Sequence, residues 1–249
     1  MNLKSERLVP DKKDSFYLEH IQRYRFTSKY IKANHVLDLG CGAGYGSLEL
    51  VKYGAKKVIG VDTNHKAIDY AIRKFKNKNL KFKVNNAEQL EFKNETFDTV
   101  VSFEVIEHVK NFKKFIKEAF RVLKKGGYFI FSTPNAKMHR GGTSPYHTKE
   151  FSVKELVEIF PSVKLYGQFF ENSEFVKSEK EYFQRYNKLT IGGNKSIKKL
   201  FHLIPSELKS FIYRLFWNPT PAIHENEIVI KKGNFERAVT LIGVVQKKS

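Results

Sequence analysis

Cysteine is almost absent from the sequence, because Cys41 is the single one among 249 residues. An intramolecular disulfide is therefore excluded, and with it the class of small secreted domains that disulfides hold together. Long apolar runs are also missing, since no stretch approaches the roughly 18 residues that a membrane-spanning helix needs. The first 15 residues contain no apolar core and do not look like a signal peptide. We therefore expect a soluble, cytoplasmic protein.

Acidic residues are scarce relative to basic ones: 26 Asp and Glu stand against 45 Lys and Arg, a formal net charge of +19. Such an excess raises the question of a nucleic-acid partner. However, only nine of the basic residues are Arg, the side chain that best fits phosphates and base edges. The excess is also spread along the chain, which is typical of a solvated, Lys-rich surface. A small molecule that carries phosphate or carboxylate is therefore the favoured partner, and nucleic acid is the alternative.

Apolar residues make up 41% of the chain, enough for a folded core, and their spacing predicts an α/β fold. In the first half, short apolar runs alternate with segments that repeat apolar residues every three or four positions. The predicted strands are 35–39, 57–61, 80–84, 97–103 and 128–133, and the predicted helices between them are 44–53, 64–75 and 112–123. Strands alternating with helices form a doubly wound, mostly parallel sheet with right-handed crossovers.

The second half is predicted to complete this sheet around an insertion. A helix is expected at 153–160, a sixth strand near 163–170 and a seventh at 237–246. The predicted regions are an N-terminal helical cap (1–34, with a helix at 14–31), a core (35–170), a helical insertion (171–236) and a final core strand (237–249). Helices in the insertion are expected at 195–203 and 206–217. Their basic, amphipathic sequence suits either packing on the fold or contact with an anionic membrane surface.

Glycines cluster where the first predicted strand ends. Gly40, Gly42 and Gly44 follow Asp38, and they let the backbone turn tightly and approach a ligand closely. Ligands of doubly wound sheets bind at the carboxyl ends of the strands, and the second strand ends in Asp62. An acidic side chain at that position accepts hydrogen bonds from ribose hydroxyls. The pattern therefore predicts a cofactor that contains a nucleoside.

A dinucleotide is not the predicted cofactor. The fingerprint G-x-G-x-x-G needs a third glycine, but Tyr45 or Ser47 stands there in the two registers that can be tried. Asp38 would also repel a pyrophosphate, whereas it suits an ammonium group. S-adenosylmethionine has a ribose, an adenine, an amino-acid end and a cationic sulfonium, and it has no phosphate. These properties make S-adenosylmethionine the expected cofactor.

Residues 38–45, D-L-G-C-G-A-G-Y, closely resemble motif I of the class I S-adenosylmethionine-dependent methyltransferases. Further marks of that family are Asp62 after the second strand, Asn86-Ala87-Glu88 after the third, FDTVVSFEVIEHV at 97–109 and RVLKKGGYFIFSTPN at 121–135. The resemblance covers about residues 20–170. It implies a Rossmann-like core with a seven-stranded, mostly parallel sheet, and S-adenosylhomocysteine as the product released from the cofactor.

The same resemblance implies roles for individual residues. Gly40, Gly42 and Gly44 are expected along the methionine part of the cofactor, with Asp38 near its amino group. Asp62 is expected on the ribose hydroxyls, and the adenine is expected beside Thr63, Asn86, Ala87 and Glu88. Phe103 and Glu104 are expected between cofactor and acceptor. The segment from His20 to Tyr24 is also similar to one found before motif I in many bacterial relatives. There, either Tyr24 or Arg23 reaches the methionine carboxylate, or the segment serves packing alone.

Two carboxylates and an imidazole follow the fourth strand, at Glu104, Glu107 and His108. Such groups are ligands for divalent ions. E-x-x-E-H resembles the metal site of the ubiquinone-biosynthesis O-methyltransferases and of the methyltransferases that modify small-RNA 3′ ends. The RNA enzymes take a further His after the fifth strand, where His147 is the candidate and His139 the spare. Two alternatives stay open: His108 is a general base or a substrate contact, or the group is structural.

The resemblance implies methyl transfer to a hydroxyl, less favourably an amine, of a small polar acceptor. A sugar, a sugar nucleotide or a surface-polysaccharide precursor is expected, with its site shaped by the insertion at 171–236. RNA or protein methylation is the alternative, which the charge supports for RNA. Against it, the sequence has no RRM, KH or OB motif and lacks the [DN]-P-P-[FYW] motif of base-methylating relatives. A non-catalytic cofactor-binding protein is disfavoured by the complete motif set.

Overall fold

The apolar runs of the sequence form the strands of one sheet in a computed structural model, which describes residues 15–31, 34–138, 147–171, 225–233 and 235–248. The sheet has eight strands. They are β1 (His35–Leu39), β2 (Lys57–Asp62), β3 (Leu80–Val84), β4 (Phe97–Phe103), β5 (Leu123–Pro134), β6 (Lys164–Phe170), β7 (Ile228–Lys231) and β8 (Thr240–Gln246).

The strand order is β3-β2-β1-β4-β5-β8-β6-β7. Neighbours from β3 to β5 pair in parallel, whereas β8 is antiparallel to both β5 and β6. The order reverses between β1 and β4, and such a switch point is where ligands of open α/β sheets bind, at the carboxyl ends of the strands. The predicted α/β fold with a mostly parallel sheet is confirmed.

Helices cover both faces of this sheet. They are α1 (Ser15–Phe26), α2 (Ser28–Ile31), α3 (Tyr45–Lys52), α4 (His65–Lys74), α5 (Phe112–Val122) and α6 (Val153–Ile159). Phe129 and Phe131 of β5 pack with Phe115 of α5 in one apolar cluster, whereas Ile130 packs with Ile21 of α1 in a second. This division follows the alternation of side chains along a strand. None of the helices in the described part of the chain has the length and apolar character needed to cross a membrane.

The sheet has one strand more than the seven predicted. β7 pairs antiparallel with β6 and forms an edge of the sheet. It lies inside 171–236, the segment predicted to be a helical insertion. Its sequence, Ile228-Val229-Ile230, is β-branched and favours a strand, but the run is too short for its periodicity to distinguish strand from helix. The helices predicted at 195–203 and 206–217 lie outside the described residues.

Several element boundaries also differ from the prediction: β8 begins at Thr240 rather than at 237, and larger differences occur in the N-terminal helix and in β5. The helix predicted at 14–31 is divided at Thr27, whose hydroxyl donates a hydrogen bond to the Tyr24 carbonyl at 2.7 Å and competes with the helical pattern. β5 begins at Leu123 rather than at 128, and it contains Gly126 at φ +74. The β4–β5 register shifts along this stretch, which accounts for the glycine inside a strand.

Candidate active site

The glycine loop leaves β1 at the switch point and is held against the end of β2. The backbone N–H groups of Gly40 and Cys41 both donate to the Val61 carbonyl, at 2.8 and 2.9 Å. Gly40 has φ +83, and a Cβ there would collide with Val105, so glycine is required. Gly42, at φ +53, has no described atom within 4 Å of the position its Cβ would take. On that side the loop backbone is open to a ligand.

Asp62 joins the end of β2 to this loop. Its Oδ2 accepts a hydrogen bond from the Gly42 N–H at 3.0 Å, and its Oδ1 accepts one from the Asn64 N–H at 2.9 Å. Gly44, at φ +84, is the N-cap of α3. The structure therefore brings the predicted glycines and Asp62 together at one edge of the sheet.

Asp38 is the buried acidic group of β1, with 1% of its surface exposed. The Ser47 hydroxyl donates to Oδ2 at 2.6 Å, and the Tyr24 hydroxyl donates to Oδ1 at 3.2 Å. Burial raises the pKa of Asp38 to about 7, although both hydrogen bonds oppose the rise. Asp38 is therefore a neutral carboxyl below pH 7 and a carboxylate above it.

Tyr24 connects α1 to both sides of the switch point. Its hydroxyl contacts Asp38 of β1, and its ring packs edge-on against Phe103 at the end of β4, with the ring centroids 5.0 Å apart. Burial is the main cause that raises the pKa of Tyr24 well above 10, so its hydroxyl stays a donor. A contact between Tyr24 and the methionine carboxylate stays a prediction.

An open cavity of about 410 Å³ lies at the carboxyl end of β3. Its lining residues are Thr63, Val84, Asn85, Asn86, Gln89 and Glu91. Thr63 and Asn86 were predicted beside the adenine, whereas Asn85 was missed. Asn85 is buried, and its Nδ2 has no hydrogen-bond partner among the described residues, so it is an unused donor at this cavity. The sequence signal that could have identified Asn85 is its position directly after a predicted strand.

Ala87 and Glu88 continue from this cavity toward the segment after β4. The Glu88 N–H donates to Asn86 Oδ1 at 2.9 Å, and Glu88 Oε1 accepts from the Lys110 N–H at 3.0 Å. Ala87 is buried in the apolar cluster of α5. These contacts place the residues predicted around the adenine between β3 and the segment that follows the β4 turn.

Glu104 follows β4 with φ +55, a left-handed conformation that is uncommon for a residue other than glycine. Its Oε1 accepts a hydrogen bond from the Ser132 hydroxyl at 2.6 Å and pairs with Arg23 at 2.8 Å. Arg23 is only 2% exposed and also contacts Glu19 at 3.5 Å. Arg23, predicted at the methionine carboxylate or in packing, is thus held by two carboxylates of the protein. This buried ion group joins α1 to the end of β4.

Glu107, His108 and His147 lie together after β4. One ligand atom from each lies within 4.8 Å of the other two, and the two imidazole rings are 4.8 Å apart, edge to face. Glu107 is fully buried, and Thr133 donates to its Oε2 at 3.2 Å. Its Oε1 has no hydrogen-bond partner in the described part of the chain. Burial, and secondly the nearby Glu104, raise the pKa of Glu107 well above its ordinary value.

The group of possible metal ligands therefore differs from the predicted one. Three of the four predicted residues are brought together, whereas Glu104 is paired with Arg23 outside this group. The spare ligand, His139, lies outside the described residues. A carboxylate with two imidazoles can hold a divalent ion or accept a proton from a substrate hydroxyl. The catalytic roles of Glu104, Glu107 and His108 stay predictions.

Residues 37–131 match the family model of the methyltransferase domain. They form a class I S-adenosylmethionine-dependent methyltransferase domain. The family implies S-adenosylmethionine as the cofactor of this methyltransferase domain. Its own residues fit that cofactor, because the open side of Gly42, the acidic Asp38 and Asp62, and the cavity with the unused Asn85 donor lie at neighbouring strand ends.

The methyltransferase domain has relatives among curated proteins and solved structures. The chain is 31% identical over 163 residues to a Mycolicibacterium smegmatis protein named "Probable S-adenosylmethionine-dependent methyltransferase", covering 63% of this chain and 62% of that protein. It is 36% identical over 115 residues to the ubiquinone biosynthesis O-methyltransferase of Pelagibacter ubique, covering 45% and 47%.

An S-adenosylmethionine-dependent methyltransferase structure from Thermotoga maritima aligns with a TM-score of 0.59 at 17% identity, covering 94% of this chain and 93% of that one. This likeness shows a shared fold. The sequence matches, in contrast, span from about half to 62% of the length of the curated relatives.

Proposed function

We propose that the protein transfers the methyl group of S-adenosylmethionine to a hydroxyl of a small polar acceptor, such as a sugar or a sugar nucleotide. The observation that carries the proposal is the double contact of Tyr24, which touches Asp38 of β1 and Phe103 of β4. The glycine loop adjoins the turn that leads to Glu107 and His108, because a Cβ at Gly40 would collide with Val105. A cofactor-binding edge and a group that can activate a hydroxyl meet at this switch point.

The chain's contribution to cofactor binding follows from its loop. When bound, S-adenosylmethionine supplies a methyl group that its sulfonium already activates. Asp62 accepts hydrogen bonds from the ribose hydroxyls, and ionised Asp38 pairs with the amino group. The backbone at Gly42 is open to the methionine part. Alignment of the acceptor with this fixed methyl group supplies about 7–11 kcal/mol of barrier lowering.

An alcohol acceptor must also lose its proton, and we assign its activation to Glu107, His108 and His147. These three residues would hold a divalent cation, which would lower the pKa of a hydroxyl bound to it. Two observations favour a cation: the ligand atoms already lie within 4.8 Å of one another, and the buried Glu107 Oε1 has no partner among the described residues. Glu104 stays paired with Arg23 and fixes the turn.

The experiment is a methyl-transfer assay with labelled cofactor and a panel of sugars and sugar nucleotides. His108→Ala should lower turnover by about 10²–10⁴-fold while S-adenosylhomocysteine binding is retained. His65→Ala, an exposed imidazole of α4, is the matched control and should leave turnover unchanged. A chelator should abolish turnover as well. Turnover that resists the chelator but needs His108 would leave His108 as the general base, without a cation.

RNA methylation is the second candidate, favoured by the net charge of +19. Salt separates the two candidates, because RNA binding weakens steeply as salt rises, in proportion to the phosphates neutralised. Methylation of a small sugar should change little over the same range. A steep loss of acceptor affinity between 50 and about 200 mM salt would favour RNA.

A further inference from the structure

The segment after the fifth strand is joined to the β4 turn by backbone contacts. The Thr148 N–H donates to the Glu107 carbonyl at 2.7 Å, and the Thr148 hydroxyl lies 2.9 Å from the same oxygen and 2.7 Å from the Val109 carbonyl. The Lys149 N–H adds a contact to the Glu107 carbonyl at 3.3 Å. Residues 147–149 are therefore fixed in register with Glu107, although they are distant in the sequence.

Glu150 lies behind His147 in this segment. Glu150 Oε1 is 3.2 Å from His147 Nδ1, and the two side chains are only 11% and 13% exposed. A carboxylate at this distance accepts the Nδ1–H, which fixes the neutral tautomer that leaves the lone pair on Nε2. Histidine ligands of metals are commonly oriented in this way by an outer carboxylate.

We propose that Glu150 is a positioning residue of a cation site formed by Glu107, His108 and His147. Glu150 orients the His147 ring so that Nε2 is the nitrogen offered to the cation, while Thr148 fixes the distance to Glu107. The site takes two imidazoles and one carboxylate, since Glu104 is committed to Arg23. This donor set suits borderline ions such as Zn²⁺ or Co²⁺ better than Mg²⁺.

The experiment measures Co²⁺ binding to the metal-free full chain by calorimetry and by the visible absorption of bound Co²⁺. The wild type should bind one equivalent. Glu150→Ala should weaken binding by about 10- to 100-fold, as removal of an outer carboxylate does elsewhere. Glu158→Ala is the matched control, because Glu158 is an exposed carboxylate of α6. Wild-type affinity in Glu150→Ala, or no Co²⁺ binding by the wild type, would overturn the proposal.

A second measurement needs no variant and therefore does not depend on the folding of one. Long-range ¹H–¹⁵N spectra of the wild type should show His147 protonated at Nδ1 and, after Zn²⁺ is added, a shift at Nε2. Protonation at Nε2 instead would contradict the orientation by Glu150. The inference rests on the proposed function only for its cation. Binding of S-adenosylhomocysteine therefore distinguishes a failure of this inference from a failure of the cofactor site. A chain that binds the product but not the cation refutes this inference and the cation in the activation step, and leaves the proposed methyl transfer with His108 as the general base.

Discussion

The two sides of the switch point are built in different ways. On the cofactor side, the loop from Gly40 to Gly44 is shaped by backbone conformation and by hydrogen bonds to the next strand, Asp62 to Gly42 among them. On the opposite side, Arg23 of α1 pairs with Glu104 after β4, and His147 reaches the same turn from beyond β5. One side is assembled from neighbours in the sequence, and the other from side chains that only the fold brings together.

This difference has an energetic consequence. The cofactor side consists mostly of small residues and of backbone amides that hydrogen-bond to the next strand, although it also buries Asp38, which accepts hydrogen bonds from Ser47 and Tyr24. The opposite side holds charged groups and a strained residue: Arg23 between two carboxylates, Glu107 with an oxygen that has no hydrogen-bond partner among the described residues, and Glu104 at φ +55. Buried ion pairs contribute little net stability, but breaking one leaves an uncompensated charge. We therefore expect the loss of a charged partner on the opposite side to lower folding stability most, whereas the loss of Asp62 on the cofactor side should chiefly weaken binding.

The largest effect is expected for Arg23→Ala, because it leaves the buried Glu19 and the partly exposed Glu104 without their partner. The expected loss is about 3–5 kcal/mol in the free energy of unfolding, measured by urea denaturation. Arg25→Ala is the matched control, since Arg25 pairs with Glu225 at 2.7 Å while 54% of its side chain is exposed. That exposed pair should contribute at most about 1 kcal/mol. Equal losses for the two variants would contradict the buried-charge interpretation.

Asp62→Ala should weaken cofactor binding. It removes the acceptor of the Gly42 and Asn64 hydrogen bonds as well as the expected ribose contact. Hydrogen bonds to a charged group contribute about 1.5–3 kcal/mol each, so cofactor affinity should fall by about 100-fold or more in calorimetry. Asp69→Ala, an exposed carboxylate of α4, is the control. Affinity within threefold of the wild type would remove Asp62 from the cofactor site.

Gly40→Ala tests the close contact between the glycine loop and the turn after β4. Both glycines have a positive φ, +83 at Gly40 and +74 at Gly126. A Cβ at Gly40 would collide with Val105, whereas a Cβ at Gly126 would have no described atom within 4 Å. Both variants share the conformational cost of about 1–2 kcal/mol. Gly40→Ala should lose about 1–3 kcal/mol more, the usual cost of overpacking, in thermal or urea unfolding. Identical losses of stability in the two variants would show that Val105 can move away from the added Cβ at no cost in stability.

A pH dependence of cofactor binding is expected from Asp38. Its pKa of about 7 makes it neutral in the free protein below pH 7, whereas the cofactor's ammonium favours the carboxylate. Binding must therefore release a proton below pH 7, so affinity should rise by up to about tenfold per pH unit toward pH 7 and then level off. Calorimetry with S-adenosylhomocysteine from pH 5 to 8 measures this. Asp38→Asn should flatten the profile, and a flat wild-type profile would contradict the linkage.

The same contrast explains how much could be predicted from the sequence. The glycines, Asp38 and Asp62 follow apolar runs within one short segment each, so their common edge followed from the strand pattern alone. The Arg23–Glu104 pair could not be predicted, because it depends on how α1 lies across the sheet. E-x-x-E-H suggested one set of ligands, whereas in the structure Glu104 pairs with the buried Arg23 of α1.

The prediction of the strands was limited in a similar way. The five parallel strands were predicted because each combines an apolar run with a turn, whereas β7 is four residues long and gains its partner from β6. Asn85 was missed for a related reason: an asparagine after a strand resembles a turn residue until its burial and its unpartnered amide are seen.

The position of β8 has a consequence for biosynthesis. β8 lies between β5 and β6, although the ribosome makes it after both and after β7. The nascent chain therefore carries unpaired edges on β5 and β6 until residues 240–246 emerge. Exposed edges of this kind promote association between chains. A translational pause just before residue 240 should thus be the stage at which this protein most needs a chaperone.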